Sequence, residues 1–304
     1  NIIHQGTDMP MRHIAQLTSN QTLVLNHLVN NVYTNILKEQ GNSCCILEMK
    51  PGYGKTYLSL GVIEVISKKT LIVVPNTYLL RQWVEILTIN FPDKKIGTYY
   101  GIKKNDGDII VSIVNSAIKY PPEKLEEIGL TIYDEVHMYC SKSFSKVFKN
   151  TQSRCVLGLT ATPRDRLDGF NAIANWQCGN IIDASKVEGW DPGAITFTCD
   201  VTRLNYYGPS KYTKVILSET GVVSVPLMVN QLIEDPRRNA LIVGEAIKLY
   251  KDGHYVFIFS DRRSHLEILA ACIKELKIRY EAPELEDNKE IKKKDDILKL
   301  INEA

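Results

Sequence analysis

Residues 49–56 read Met-Lys-Pro-Gly-Tyr-Gly-Lys-Thr, and residues 133–137 read Tyr-Asp-Glu-Val-His. The two stretches lie about 80 residues apart, and each follows a short apolar run. Those runs and their neighbours decide the fold class. Residues 44–49, 70–74, 108–114, 130–133 and 155–159 are rich in Val, Ile and Leu without regular polar alternation. Such runs suit strands covered on both faces. Helical patterns separate them at 57–67 and 78–90. Strands alternating with helices predict an α/β fold built on a parallel, doubly wound sheet. Ligands of such sheets bind at the carboxyl ends of the strands, where both stretches fall.

The first stretch has the composition of a phosphate cradle. A Gly-rich turn opening a helix aims backbone N–H groups at an anion. Gly52 and Gly54, with Tyr53 between them, supply the turn. Lys55 would reach the β- and γ-phosphates, and the Thr56 hydroxyl would ligate Mg²⁺. The standard spacing wants Gly at the position occupied here by Met49. The second stretch supplies carboxylates. Asp134 would hold Mg²⁺, and Glu135 would orient or deprotonate the attacking water, because phosphoryl transfer needs mainly positioning and charge neutralisation. Together the stretches read as the two halves of an ATP site. His137 reads either as a residue coupling that site to the rest of the molecule or as an ordinary packed histidine. Residues 158–163, Gly-Leu-Thr-Ala-Thr-Pro, follow a further strand. The hydroxyls of Thr160 and Thr162 are candidates for bonding the acidic stretch and relaying nucleotide state.

Composition sets the frame around these motifs. The 304 residues are 44% hydrophobic and 24% charged, a balance that suits a soluble protein of roughly two domains. A net charge of +2 argues against a strongly basic nucleic-acid coat but leaves room for a local basic groove. No apolar run approaches the ~20 residues that span a bilayer, and no signal-peptide pattern opens the chain, so no membrane partner is expected. The chain opens on Asn1 rather than Met, so further residues are expected before it. Seven cysteines, with no Cys-x-x-Cys pair, argue against a disulfide framework and against zinc. Cys44, Cys45 and Cys155 read as small buried hydrophobes, and a reducing compartment, the cytoplasm, nucleus or a virion, is expected.

The pattern changes after Trp190. Asp191-Pro192-Gly193 is a turn signal, and residues 195–207 read as extended chain. Asp235 and Pro236 form a helix start, as N-cap and first-turn residue of a helix reaching about Lys251. A strand is expected at 254–260 and a helix at 262–276. The expected domains are residues 1–190 and 191–304, the second an α/β unit that runs out of chain. Lys292 to Lys294 read as a solvated helix face.

The order of these motifs resembles superfamily-two helicases and translocases, over about residues 17–269. Ile72-Val73-Val74-Pro75, then Leu79 or Leu80, then Gln82-Trp83, is similar to a segment of that family, as are Ile96-Gly97 with Gly101 and residues 108–111 with Asn115-Ser116. Thr160-Ala161-Thr162-Pro163-Arg164 followed by Asp168-Gly169 resembles the XPB excision-repair and phage branch-migration type. The segment 207–212, Tyr-Gly-Pro-Ser-Lys-Tyr, with 235–239, Asp-Pro-Arg-Arg-Asn, is similar to poxvirus-type transcript-release helicases of large DNA viruses.

The resemblance implies RecA-like P-loop NTPase lobes, two of them with the second incomplete here, ATP and Mg²⁺ between them, and a strand of DNA or RNA across their tops. Gln21 matches the position that reads adenine, though it also suits a polar residue in the first turn of a helix. Asn76, Arg81, Gly101, Asn115 and Ser116 match positions that touch backbone phosphates, contacts that are sequence-independent and salt-sensitive. Arg81 reads equally as a solvated helix residue, and Asn76 stands where the family commonly has Thr. Ser260 and Arg262 match a nucleic-acid segment of the second lobe. The family closes its ATP site with a late Gln-x-x-Gly-Arg-x-x-Arg segment, and no such segment occurs in this chain. The implied function is ATP-driven movement along or unwinding of nucleic acid, with a viral setting in transcription termination or transcript release and transcription machinery as a partner. A duplex translocase that does not unwind, and an ATP-switched nucleic-acid-binding scaffold, are the alternatives.

Overall fold

The computed structural model describes residues 6–34, 43–151, 153–162, 171–193 and 199–276. The chain divides into two units, Asn1–Thr196 and Phe197–Ala304. Several sequence expectations lie outside the described residues: Pro163, Arg164, Asp168 and Gly169, the start of the extended stretch at 195–198, and Lys292 to Lys294.

The first unit is built on one sheet of eight strands: β1 (Ser43–Glu48), β2 (Thr70–Val74), β3 (Ile96–Tyr100), β4 (Lys103–Asn105), β5 (Ile109–Ile113), β6 (Leu130–Asp134), β7 (Cys155–Thr160) and β8 (Asn180–Asp183). Their order is β4-β3-β5-β2-β6-β7-β1-β8. Every neighbouring pair is parallel except β3 and β4, which form an antiparallel hairpin. The longer helices of this unit are α1 (Ser19–Leu28), α2 (Lys55–Ile66), α3 (Thr77–Asn90) and α4 (Asn171–Cys178). This is the α/β, doubly wound architecture expected from the apolar runs.

The runs lack polar alternation because both sheet faces are covered. All residues of β2, β6 and β7 are buried. Alternate side chains leave on opposite faces. Leu47, Ile72, Val74, Ile132 and Leu157 meet Val24 of α1, Leu58 of α2 and Trp83 of α3. Leu71, Val73, Ile110, Tyr133 and Val156 meet Val114, Tyr139, Phe148 and Ala174 of α4 on the other side. Each fully buried aliphatic or aromatic side chain stabilises the unit by about 1.5–3 kcal/mol. Cys45 and Cys155 belong to the first of these layers, and burial pushes both thiols up to about 12. They are inert packing residues, since the reactive form of cysteine is the thiolate.

Two edge strands and one helix carry no sequence signal strong enough to expect them. β4 is Lys-Lys-Asn, the charged composition with which sheet edges resist further pairing. β8 lies at the opposite edge with no fully buried residue. α4 spans only two turns.

In the second unit, α5 (Val225–Leu232), α6 (Pro236–Lys251) and α7 (Arg263–Glu275) are the longer helices. Asp235 caps α6 as expected, accepting from the Arg237 N–H at 3.0 Å and the Arg238 N–H at 3.4 Å. Val243, Ile268, Leu269 and Cys272 form the core between α6 and α7. The strand expected at 254–260 is not formed. Its alternation is present, with Val256 and Ile258 half-buried between exposed Tyr255, Phe257 and Phe259. A strand exists only as a partner in a ladder, and among the described residues nothing pairs with this segment. The described part of the extended stretch, 199–207, likewise carries neither helix nor strand. No helix among the described residues is long and apolar enough to cross a membrane.

A buried polar chain ties α6 to α7. His265 Nδ1 lies 2.9 Å from Ser260 Oγ, its Nε2 lies 3.0 Å from Asn239 Oδ1, and the Asn239 amide donates to the Ile233 carbonyl. Burial, and then the nearby Arg238 guanidinium, hold His265 below its ordinary value of 6.5. Below that value the unfolded chain takes up a proton that the folded chain refuses, so stability falls as pH falls. The melting temperature of the second unit is expected to drop between about pH 7 and about pH 5.5. His265→Asn should be less stable at pH 7 by about 1–3 kcal/mol, yet show a shallower pH dependence. Parallel slopes for the two proteins in thermal melts would show that His265 is not the group responsible.

Candidate active site

The phosphate-loop stretch joins the carboxyl end of β1 to the first turn of α2. Gly52 and Gly54 both take the left-handed backbone conformation, with φ of 84° and 79°. Gly54 is the N-cap of α2, and a methyl group there would collide with the Gln21 side-chain amide. Met49, standing where a glycine is usual, is buried in the core layer. Its N–H donates to the Thr160 carbonyl at 3.0 Å, and its carbonyl accepts from Lys55 Nζ at 3.0 Å. The side chain therefore serves packing, while the backbone anchors the loop to β7 and holds the lysine beneath it.

The acidic stretch ends the next strand but one. β7 lies between β1 and β6, pairing Glu48 with Thr160 and Leu159 with Asp134, so the three strands end nearly level. Asp134 is 8% exposed. Its Oδ2 accepts from the Trp83 indole N–H at 2.8 Å, and its backbone carbonyl accepts from the Tyr139 hydroxyl at 2.7 Å. Burial pushes the carboxyl up, while Trp83, Lys55, the Glu135 backbone N–H and His137 draw it down. The influence of Lys55 shows that the fold brings the two sequence stretches to one place. Glu135 sits at φ 50°, one of two non-glycine residues with positive φ among the described residues. Such a backbone costs on the order of 1–3 kcal/mol and clusters at functional sites.

His137 and the two threonines also meet. His137 Nδ1 lies 2.8 Å from Thr160 Oγ1 and 3.4 Å from Glu135 Oε2. Thr160 Oγ1 also accepts from the Thr162 backbone N–H at 3.1 Å. Thr56 lies half-buried in the first turn of α2. A hydroxyl and a carboxylate are hard oxygen donors, so the Thr56 and Asp134 pair fits Mg²⁺ rather than a thiophilic metal.

Gln21 has a structural engagement not foreseen from sequence. It closes a capping box with Thr18, its Oε1 accepting from the Thr18 N–H at 2.9 Å. Its Nε2 donates to the Tyr53 and Gly54 carbonyls at 3.1 and 3.4 Å. The start of α1 is thus bonded to the phosphate loop. Trp190 packs on Tyr53 with ring centroids 5.2 Å apart, and the Tyr53 hydroxyl donates to the Pro192 carbonyl at 2.9 Å. Asn20 pins the same segment through the Asp191 carbonyl and N–H. The sequence marked residues 191–193 only as a turn.

The residues matched to nucleic-acid contacts divide by unit. Asn76 follows β2, Gly101 follows β3, and Asn115 and Ser116 follow β5, three strands adjacent in the sheet. Asn76, Arg81, Gly101 and Asn115 are exposed, and Ser116 is half-buried. Asn76 Oδ1 caps α3 by accepting from the Leu79 N–H at 3.0 Å. In the second unit, Arg262 is engaged by its own surroundings. Its guanidinium donates to Asn230 Oδ1 at 2.6 Å and to the Pro226 carbonyl at 3.2 Å, while Ser260 lies against His265.

A Gly-Lys-Thr loop and an Asp-Glu pair at the ends of nearby parallel strands define the P-loop class of α/β nucleotide-binding proteins. The chain belongs to the family described as type III restriction enzyme, res subunit, whose model matches residues 14–165. It is similar to QP509L of African swine fever virus (strain Badajoz 1971 Vero-adapted), named "Putative ATP-dependent RNA helicase", at 30% identity over 85% of this chain and 53% of that protein. L396 of Acanthamoeba polyphaga mimivirus carries the same descriptive name and is 26% identical over 85% of this chain and 48% of that protein. The chain thus spans about half the length of these relatives. The crystal structure of the UvsW helicase from bacteriophage T4 matches 60% of this chain and 63% of that one, with 19% identity and a TM-score of 0.44. The resemblance to superfamily-two helicases, and to those of large DNA viruses, is upheld by the family and its viral relatives.

Gly54→Ala adds a collision with Gln21 to a left-handed backbone that costs an alanine roughly 1–2 kcal/mol. ATP affinity should fall about tenfold or more. Fluorescent-nucleotide titration measures it, and wild-type affinity would show that this loop does not hold the phosphates.

Proposed function

We propose that this chain is the ATP-hydrolysing core of a nucleic-acid helicase or translocase. The observation that supports it most directly is the meeting of Lys55, Asp134, Glu135 and Thr160 at three neighbouring strand ends. In this reading the Gly52–Gly54 turn and the N-terminus of α2 cradle the phosphates. Lys55 leaves the Met49 carbonyl to meet the β- and γ-phosphates. Thr56 and Asp134 hold Mg²⁺, which when bound neutralises phosphate charge. Glu135 orients the attacking water and takes its proton. His137, touching both Glu135 and Thr160, passes nucleotide state to the end of β7 and to Thr162 just beyond it.

The track lies along the ends of β2, β3 and β5, through Asn76, Arg81, Gly101, Asn115 and Ser116. Backbone contacts of this kind are sequence-independent. The names of the viral relatives favour RNA as the track. A place in viral transcription termination or transcript release, beside transcription machinery and in a reducing compartment, is the finer form of this proposal. Its supports are the viral relatives and the segments 207–212 and 235–239.

ATP turnover by the chain with single-stranded RNA, single-stranded DNA and duplex tests the reading. Stimulation by single-stranded RNA is expected. Lys55→Ala should lower turnover at least about 100-fold. Glu135→Gln should retain ATP binding while hydrolysis falls roughly 100-fold or more. Normal turnover in either variant would remove these residues from the chemistry. ATP binding without turnover, even in a longer natural protein, would favour an ATP-switched scaffold.

A further inference from the structure

The hydrogen bond between Trp83 and Asp134 joins two parts of the sheet that the motifs keep separate. Strands β6, β7 and β1 end in the nucleotide stretches, while β3, β5 and β2 end in the residues matched to nucleic acid. Trp83 stands on α3, the helix that follows β2 and is capped by Asn76. Its indole reaches across to the carboxylate at the end of β6.

The surroundings leave this contact little freedom. Trp83 is 1% exposed, and Leu80 and Leu87 bury the same face of α3. The indole has a single N–H, and its position is set by the packed ring. On the other side, the Tyr139 hydroxyl bridges the carbonyls of Asp134 and Val73, fixing the strand end from which the carboxylate departs. A packed ring and an anchored backbone together restrict the rotation of the Asp134 side chain. With Oδ2 held by the indole, the carboxylate has a defined orientation before any ligand arrives. Donors behind a metal-binding carboxylate commonly set metal affinity, at 10–100-fold on removal.

Resting on the ATP-site reading above, we propose that Trp83 is a positioning residue that orients Asp134 toward a nucleotide-bound Mg²⁺. Its N–H, rather than its bulk, is the functional part. The test uses a fluorescent ATP analogue titrated with Mg²⁺ and with EDTA. Wild type, Trp83→Phe and a chain carrying 3-benzothienylalanine at position 83 are compared; the last keeps the ring size and lacks the N–H. Thermal melts establish that each is folded. The expected result is that metal-free affinity stays near wild type, while the gain in affinity from Mg²⁺ shrinks about 10–100-fold. Equal losses with and without Mg²⁺ in the benzothienylalanine chain would reduce Trp83 to a packing residue and overturn the proposal. An undiminished Mg²⁺ gain in that chain would also overturn it. A wild type that binds the analogue without any Mg²⁺ dependence would instead remove the ATP-site reading, and this inference with it.

Discussion

Everything at the site depends on β7 lying in register between β1 and β6. Parallel pairing sets Thr160 beside Glu48 and Leu159 beside Asp134. Three stretches far apart in sequence therefore emerge at one level. The middle strand must also be thin. At Gly158 an added methyl would lie 3.2 Å from Ile46 and 3.3 Å from Val136, so both neighbours would have to give way. Val136 directly follows Glu135, and its packing against β7 helps hold the strained Glu135 backbone. The ion pairs of Lys69 with Asp106 at 3.0 Å and Glu127 at 2.5 Å lie near the opposite ends of the strands. There a cation bonds two carboxylates and secures the loops that precede β5 and β6.

The same geometry explains how a nearly buried carboxylate is tolerated. Removing a charge from water is costly unless hydrogen bonds and opposite charge replace the solvent. Asp134 has an indole N–H, a backbone N–H and the field of Lys55 and His137. Burial is still the largest influence on it, leaving the carboxyl above its ordinary range. A bound cation would relieve that imbalance. An under-compensated carboxylate beside a strained glutamate is what separates this strand end from the six other parallel ends of the sheet.

Much of this was legible in the sequence because both-face burial leaves a strong mark. The runs 70–74, 130–133 and 155–159 match observed strands closely, since every position in them is under the same apolar pressure. The loop and the acidic pair stood out in the sequence because the phosphate and metal chemistry proposed for them admits few residue types. What escaped obeys weaker rules. β4 is a polar edge, so it carries no apolar signal. The aromatic alternation at 254–260 looks like a strand, yet a ladder partner is a property of the whole fold rather than of the segment. Gln21 was singled out for adenine, and its bonds to the phosphate loop follow from the approach of α1 to α2, which no local pattern reports. Trp83 was visible within a family-like segment but carried no role. Its indole N–H and its partner lie 51 positions apart, and only the folded sheet brings them together.

The order of the strands also explains why that partner lies where it does. In a sheet ordered β3-β5-β2-β6-β7-β1, β2 and β6 are the neighbours at which the two groups of strand ends meet. The helix leaving β2 packs over β2, β5 and β3 on its way to β3, and from its buried side Trp83 reaches back to the end of β6. Leu80 and Leu87 answer this with apolar packing, and Trp83 with packing plus one donor. The exposed side of α3 holds Arg81 and its N-cap is Asn76, so one helix presents a polar surface outward and a hydrogen bond inward to Asp134.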